Sequence, residues 1–118
     1  MTRECLRKAE RIGSSAEFGE VFKKGKAYGG THLVLFCLTR EGRGPKVGFT
    51  TTRRVRKAVA RNRAKRLMRE AYRKIRYGIP SGGRSLVFLA RGDTRGMTFE
   101  NVQADMVRLL ESARLWRG

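Results

Sequence analysis

Residues 57–74, KAVARNRAKRLMREAYRK, carry eight Lys or Arg and a single acid, Glu70. A run like this can be buried on one side only, so its periodicity decides what it folds into. Wound at 100° per residue, Ala60, Ala64, Leu67, Ala71 and Ile75 fall within about 80° of one another, with Met68 beside them. Small residues on that stripe let a helix lie close against a sheet. Asn62, Lys65, Arg66, Arg69, Arg73 and Arg76 gather on the opposite side. The segment 57–76 therefore reads as an amphipathic helix with one apolar and one cationic face. A solvated helix face ordinarily mixes signs, because opposite pairs at i, i+4 help and like pairs hurt. A face of one sign points to an anionic partner that neutralises it.

The whole chain carries the same imbalance. Its 118 residues contain 28 Lys or Arg against 10 Asp or Glu, a formal net charge of +18. A polycation at neutral pH seeks nucleic acid first and anionic membrane second. No stretch approaches the roughly 20 apolar residues of a spanning helix. The N-terminal MTRECLRKAERIG has no apolar run after its basic start and is not a secretory signal. A membrane partner is therefore not expected, and a cytoplasmic location is. Cys5 and Cys37 read as reduced thiols, Cys37 within an apolar run. The length suits one domain, 1–118, with 1–10 expected to be flexible.

Ser14 with Glu17 three residues on forms a capping box, and Phe18, Val21 and Phe22 make one apolar stripe on the helix that follows. Residues 31–40 (THLVLFCLTR) and 46–52 (KVGFTTT) read as strands separated by the turn EGRGP, so 31–52 is expected to be a hairpin. Residues 84–91 read as a further strand. The last helix should start after Thr98 as N-cap and run to residue 116, with Phe99, Val102, Met106, Leu109, Leu110 and Ala113 at helical spacing. The order α-β-β-α-β-α, with room for one more short strand, is an α+β fold, and the cationic helix becomes a crossover between two strands of one sheet.

Catalytic constellations are missing. His32 is the only histidine and lies in an apolar strand. One histidine and two separated cysteines do not make a zinc site. There is no phosphate-binding glycine motif, and the carboxylates are too scattered for a two-metal hydrolytic centre. If the chain serves a cleavage reaction, the catalyst lies in a partner. Phe18 and Phe22 share a helix face, and Phe36 and Phe49 lie on strands. Rings beside cations can stack the bases of single-stranded RNA, and they can equally be core.

The segment KAVARNRAKRLMREAYR closely resembles the signature of the bacterial ribonuclease P protein family, centred on Arg61-Asn62-Arg63, Lys65-Arg66 and Arg69-Glu70-Ala71. FGEVFKKGKAYGGTHLVLF is similar to the family's first helix and strand, KVGFTTTRRV to its next strand, and LVFLARGDTRGMTFENV to its last strand and the join to the final helix. The resemblance spans roughly 11–110. It implies a ribosomal-protein-like α+β domain with an unusual left-handed βαβ crossover. It also implies a subunit of an endoribonuclease whose RNA component removes the 5′ leader of precursor tRNA. By resemblance, Arg53, Arg54, Arg61, Asn62, Arg63, Lys65, Arg66 and Arg69 would contact the catalytic RNA, while Phe18, Phe22 and Phe36 would line a cleft for the leader. The partners implied are the catalytic RNA and precursor tRNA, with no obligate protein partner. Mg²⁺ would be required by the RNA, with no cofactor or metal held by the protein. Arg56 stands where the family commonly has Gly. A ribosomal or other structural RNA-binding protein is the alternative.

Overall fold

A computed structural model describes residues 11–12, 14–39, 46–52, 56–79, 83–91 and 96–117. Helix α1 (Ser15–Lys24) leads into strands β1 (Lys26–Gly29), β2 (Leu33–Thr39) and β3 (Lys46–Thr51). Helix α2 (Ala58–Ile75) and a 3₁₀ turn (Arg76–Gly78) follow, then strand β4 (Arg84–Ala90) and helix α3 (Phe99–Ser112). The class is α+β as expected, in the order α-β-β-β-α-β-α, the short β1 being the additional strand.

The four strands form one sheet in the order β1-β2-β4-β3. The expected hairpin over 31–52 is not formed. β4 lies between β2 and β3, antiparallel to β2 (Phe36 opposite Val87) and parallel to β3 (Phe49 opposite Phe88). The physical reason is apolarity on both faces. LVLFC and LVFLA are continuous apolar runs that need cover above and below and a neighbour on each side, so they take the centre. KVGFTT alternates and sits at the edge. The hairpin partner of β2 is β1, with Ala27 opposite Phe36.

One sheet face carries the main core. Leu33, Leu35, Val47, Leu86, Phe88 and Ala90 meet Ala64, Met68, Ala71, Tyr72 and Ile75 of α2 and Val102, Met106, Leu109 and Leu110 of α3. The stripe of α2 is rotated slightly from the expected one. Ala60 is only half-buried, while Tyr72 is buried and packs its ring 5.7 Å from Phe49 and 6.0 Å from Phe88. The rotation follows from α2 being covered on two sides, by the sheet and by α3. The opposite sheet face holds a smaller cluster of Ile12, Val21 and Val87, flanked by Phe18, Phe36 and Leu38.

Both expected caps are present. Ser14 Oγ accepts from the Glu17 N–H at 3.2 Å, and Thr98 Oγ1 from the Asn101 N–H at 3.2 Å. α3 stops at Ser112, short of the expected 116. Arg114 adopts a left-handed φ of 60°, and the Leu115 N–H returns to the Leu110 carbonyl at 2.7 Å, dropping Leu115 into the core.

An acid occupies the apolar stripe of α3. Asp105 is 3% exposed and accepts the backbone N–H groups of Thr31, His32 and Leu33 at 3.1, 3.0 and 2.9 Å. A carboxylate holding three donors is a satisfied buried charge, and it ties α3 to the β1–β2 turn. Asp105→Ala would leave those donors without their acceptor. We expect it to lower unfolding free energy by about 3 kcal/mol, read as a shifted urea midpoint with unchanged slope.

Candidate nucleic-acid interface

With its apolar stripe against sheet and α3, α2 must turn its other residues outward. Asn62, Arg63, Arg66 and Arg69 are exposed, and Arg61 and Lys65 half-buried. The helix begins unusually. Lys57 is the N-cap residue without a side-chain capping bond, and the first turn holds no acid. Uncapped N–H groups, the positive end of the helix dipole and Arg56 and Lys57 thus add at one place. Such a start weakens an isolated helix and favours a bound anion.

Among the described residues, two of the sequence-predicted arginines have intramolecular partners. Arg61 Nη1 donates to the Arg56 carbonyl at 2.7 Å, and Arg63 Nη2 to the Met97 carbonyl at 2.9 Å. Arg56 therefore presents its carbonyl as an anchor for Arg61, whichever residue its side chain is. Half-buried Arg73 pairs with exposed Glu70 at 2.6 Å. Arg53 and Arg54, with residues 1–10 (including Cys5) and the EGRGP segment expected to turn, lie outside the described residues.

The three predicted rings come together on the other sheet face. Phe22 stands edge-on to Phe36 with centroids 4.9 Å apart, and Phe18 lies 6.3 Å from Phe22. They differ in exposure. Phe18 is half-buried over β3, where a Cβ on Gly48 would sit 2.7 Å from its ring, whereas Phe22 is 39% exposed. The absent side chain of Gly48 is what lets Phe18 approach the sheet so closely. Glu17 pins the same helix to the start of β3 through Lys46 Nζ at 3.0 Å. Phe49 belongs to the main core beneath Tyr72, which answers the open reading of that ring.

Sequence reasoning missed two elements of this surface. Next to the row Phe36–Val87–Gly48 runs a second, half-buried row, Val34–Leu89–Thr50, on the same sheet face. The apolar doubling of β2 and β4 was its signal. The other is a pocket of about 330 Å³ that wraps the edge of β3, lined by Arg11, Phe18 and Gly48 on one side and Phe49, Lys65 and Arg69 on the other. It joins the aromatic cluster to the cationic helix, beside an isolated parallel bridge between Arg11 and Val47.

Cys37 is a free thiol, pushed above its ordinary pKa by burial, with Arg84 pulling the other way. Among the described residues no three His, Cys, Asp or Glu side chains gather where they could hold a metal ion. Among the same residues no helix is long and apolar enough to cross a membrane.

The family model described as Ribonuclease P matches residues 6–114. The chain belongs to the ribonuclease P protein family. It is 39% identical over 107 residues to the ribonuclease P protein component of Gluconacetobacter diazotrophicus, covering 90% of this chain and 92% of that one. The RNase P protein of Thermotoga maritima superposes with a TM-score of 0.74 at 27% identity, over 87% of this chain and 96% of that one. The Staphylococcus aureus RNase P protein shares the fold with a TM-score of 0.79 at 24% identity, over 92% and 99%. Membership makes the chain a subunit of an endoribonuclease of tRNA processing, working with the ribonuclease P RNA.

The Gly48–Phe18 contact generates a test of the aromatic surface. Gly48→Ala should push the Phe18 ring off β3 and cost about 1–3 kcal/mol in stability, as overpacking does. Loss of ring-current shifts at Ile12 and Gly48, together with a lowered unfolding midpoint, would report it; an unmoved ring would contradict the packing described.

Proposed function

We propose that this chain grips the catalytic RNA of ribonuclease P with the outward face of α2 and holds the 5′ leader of precursor tRNA on the Phe18–Phe22–Phe36 surface. The observation that carries the reading is the juxtaposition of a single-sign cationic helix and an aromatic cluster on opposite faces of one sheet, joined around the edge of β3. Arginine forks bind phosphate through paired N–H donors, and exposed rings stack bases without demanding a sequence. The two surfaces can therefore hold two RNA segments at once.

The protein's share of the reaction is then binding and positioning. Asn62, Lys65, Arg66 and Arg69 offset phosphate repulsion where two RNAs meet, and Arg53 and Arg54 extend that contact. Arg61 and Arg63 contribute from anchored positions. Phe22, backed by Phe36, offers a stacking face to a leader nucleotide, with Phe18 as its support. On this reading the Mg²⁺ that hydrolysis of the leader requires is held by the RNA. The location that follows is the cytoplasm, and no obligate protein partner is invoked.

Reconstitution tests this reading. Pure protein with Mg²⁺ should leave precursor tRNA intact, and adding it to the catalytic RNA at low Mg²⁺ should restore cleavage at the mature 5′ end. Equal affinity for precursor and mature tRNA would favour a structural RNA-binding role instead. Phe22→Ala should weaken precursor binding about five-fold, with mature tRNA binding and unfolding temperature unchanged. If about six phosphates are contacted, log K against log salt should slope at roughly −4 to −5. Arg66→Ala should make that slope shallower by about one unit.

A further inference from the structure

Two kinds of side chain meet in the pocket at the edge of β3. Ile12, Phe18, Val47 and Phe49 give it apolar walls, while Arg11, Lys65 and Arg69 bring three cations to it. Among the described residues no acid lines it, and no hydrogen bond or ion pair engages the side chains of those three cations. Phe22 and Phe36, the more open part of the aromatic surface, do not line it.

The walls are held in place by the protein itself. The Ile12 N–H donates to the Val47 carbonyl at 2.9 Å and keeps one wall along β3. Gly48 leaves room for the Phe18 ring beside it, and a Cβ there would also sit 3.2 Å from the Ile12 Cβ. Phe49 is backed by Tyr72 at 5.7 Å and Phe88 at 6.1 Å. Lys65 and Arg69 stand four residues apart on α2 and are therefore neighbours on its surface. Their like charges repel at that spacing, and an anion between them relieves the repulsion.

Each half of the lining argues against a class of ligand. Three cations without an acid disfavour an amine or a metal ion. A bare phosphate gains nothing from apolar walls. An uncharged apolar molecule would leave the cations unanswered. A flat, largely apolar ring that carries phosphate satisfies both halves, and that is the chemistry of a nucleotide. The volume of about 330 Å³ lies at the small end of the roughly 300–1,000 Å³ of ligand pockets, a size for one nucleotide and not for a stacked run.

We propose that this pocket seats a single unpaired nucleotide, its base against Ile12, Phe18 and Phe49 and its phosphate on Lys65 and Arg69, and that the nucleotide belongs to the ribonuclease P RNA. The phosphate falls to α2, the helix that faces that RNA on the reading above, and the inference rests on that reading. Charge alone lets a protein slide along a phosphate backbone. One seated base would fix where the cationic helix stands on its partner.

The chain contains three isoleucines, and of these only Ile12 lines the pocket. Their methyl resonances therefore supply one reporter and two controls. Full-length protein is titrated with adenosine 5′-monophosphate and, at equal ionic strength, with ribose 5-phosphate. The Ile12 methyl should shift saturably with the nucleotide and not with the sugar phosphate, while Ile75 and Ile79 should not move. Lys65→Gln should weaken nucleotide binding about five-fold and unfold at the wild-type temperature. Equal shifts from the two compounds, or wild-type nucleotide affinity in Lys65→Gln, would overturn the assignment. The protein is then bound to ribonuclease P RNA, and separately to a short single-stranded leader RNA. The ribonuclease P RNA should shift Ile12 and the leader should not. An unmoved Ile12 in a complex that still cleaves precursor would overturn the nucleotide seat and leave the proposed function standing. An equal shift with leader RNA would assign the pocket to substrate and overturn it as well. Absence of any binding to ribonuclease P RNA would overturn both readings.

Discussion

The desolvation of one face of α2 fixes the rest of the molecule. As the crossover between parallel neighbours β3 and β4, this helix has to lie on the sheet, and Ala64, Met68, Ala71 and Ile75 let it do so closely. Half of its remaining residues are cationic. Its start lacks a side-chain cap and an acid, and its outward residues repel at the spacings where mixed signs would help. Its Ala, Arg, Lys, Leu and Met residues favour the helix, while the start and the like-charge spacings work against it. Burial on two sides, against Phe49 and Phe88 and against α3, has to outweigh them. A face of one sign can persist because stability is supplied from the other side.

The second sheet face is governed by close approach. α1 contributes one fully buried side chain, Val21, and gains its seat from Gly48 and the Glu17–Lys46 pair. Such light anchoring leaves Phe22 partly in water and leaves the row Val34–Leu89–Thr50 only half covered. A helix that buried all its apolar residues would have closed this surface. β3 links the two faces because it is an edge strand. At such an edge a pocket can be lined by residues pointing to both sides of the sheet, Gly48 beneath Phe18 and Phe49 beside Lys65 and Arg69. The isolated Arg11–Val47 bridge and the flanking cations also protect that edge from pairing with other chains.

Periodicity made the helices legible, and capping made their starts legible. Ser14 and Thr98 lie where local chemistry alone would put them. Strand neighbours were harder to read. Short sequence separation suggested β2 with β3, yet two-sided apolarity in LVLFC and LVFLA was the stronger constraint, and it seats β4 between them. Asp105 could have been noticed, since it falls between Val102, Met106 and Leu109 on the buried stripe. Its three backbone partners are over seventy residues away, and no local pattern announces them. The end of α3 was unreadable for a similar reason. Arg114 takes a glycine's conformation because Leu115 and Trp116 have places to go, a tertiary demand that overrides propensity. The gathering of Phe18, Phe22 and Phe36 was suggested by family resemblance. Spacing alone did not separate core from surface among them, and the geometry shows a graded answer, with Phe18 half-buried and Phe22 partly exposed.

The two tethered arginines show why this helix uses Arg where Lys would supply the same charge. Arg61 holds the Arg56 carbonyl through Nη1 and Arg63 the Met97 carbonyl through Nη2. A guanidinium has five N–H donors in a rigid fork, so a bond to a carbonyl does not exhaust it. The same side chain can brace the entry to α2 or the approach to α3 and still present donors to a phosphate. Bracing also removes rotamer freedom before any ligand arrives, which lowers the entropy lost on binding. An ammonium also keeps donors to spare, but on a flexible stem they are not held in a fixed fork. On the RNA reading, Asn62, Arg66 and Arg69 supply reach, while Arg61 and Arg63 supply a fixed frame against which that reach is measured.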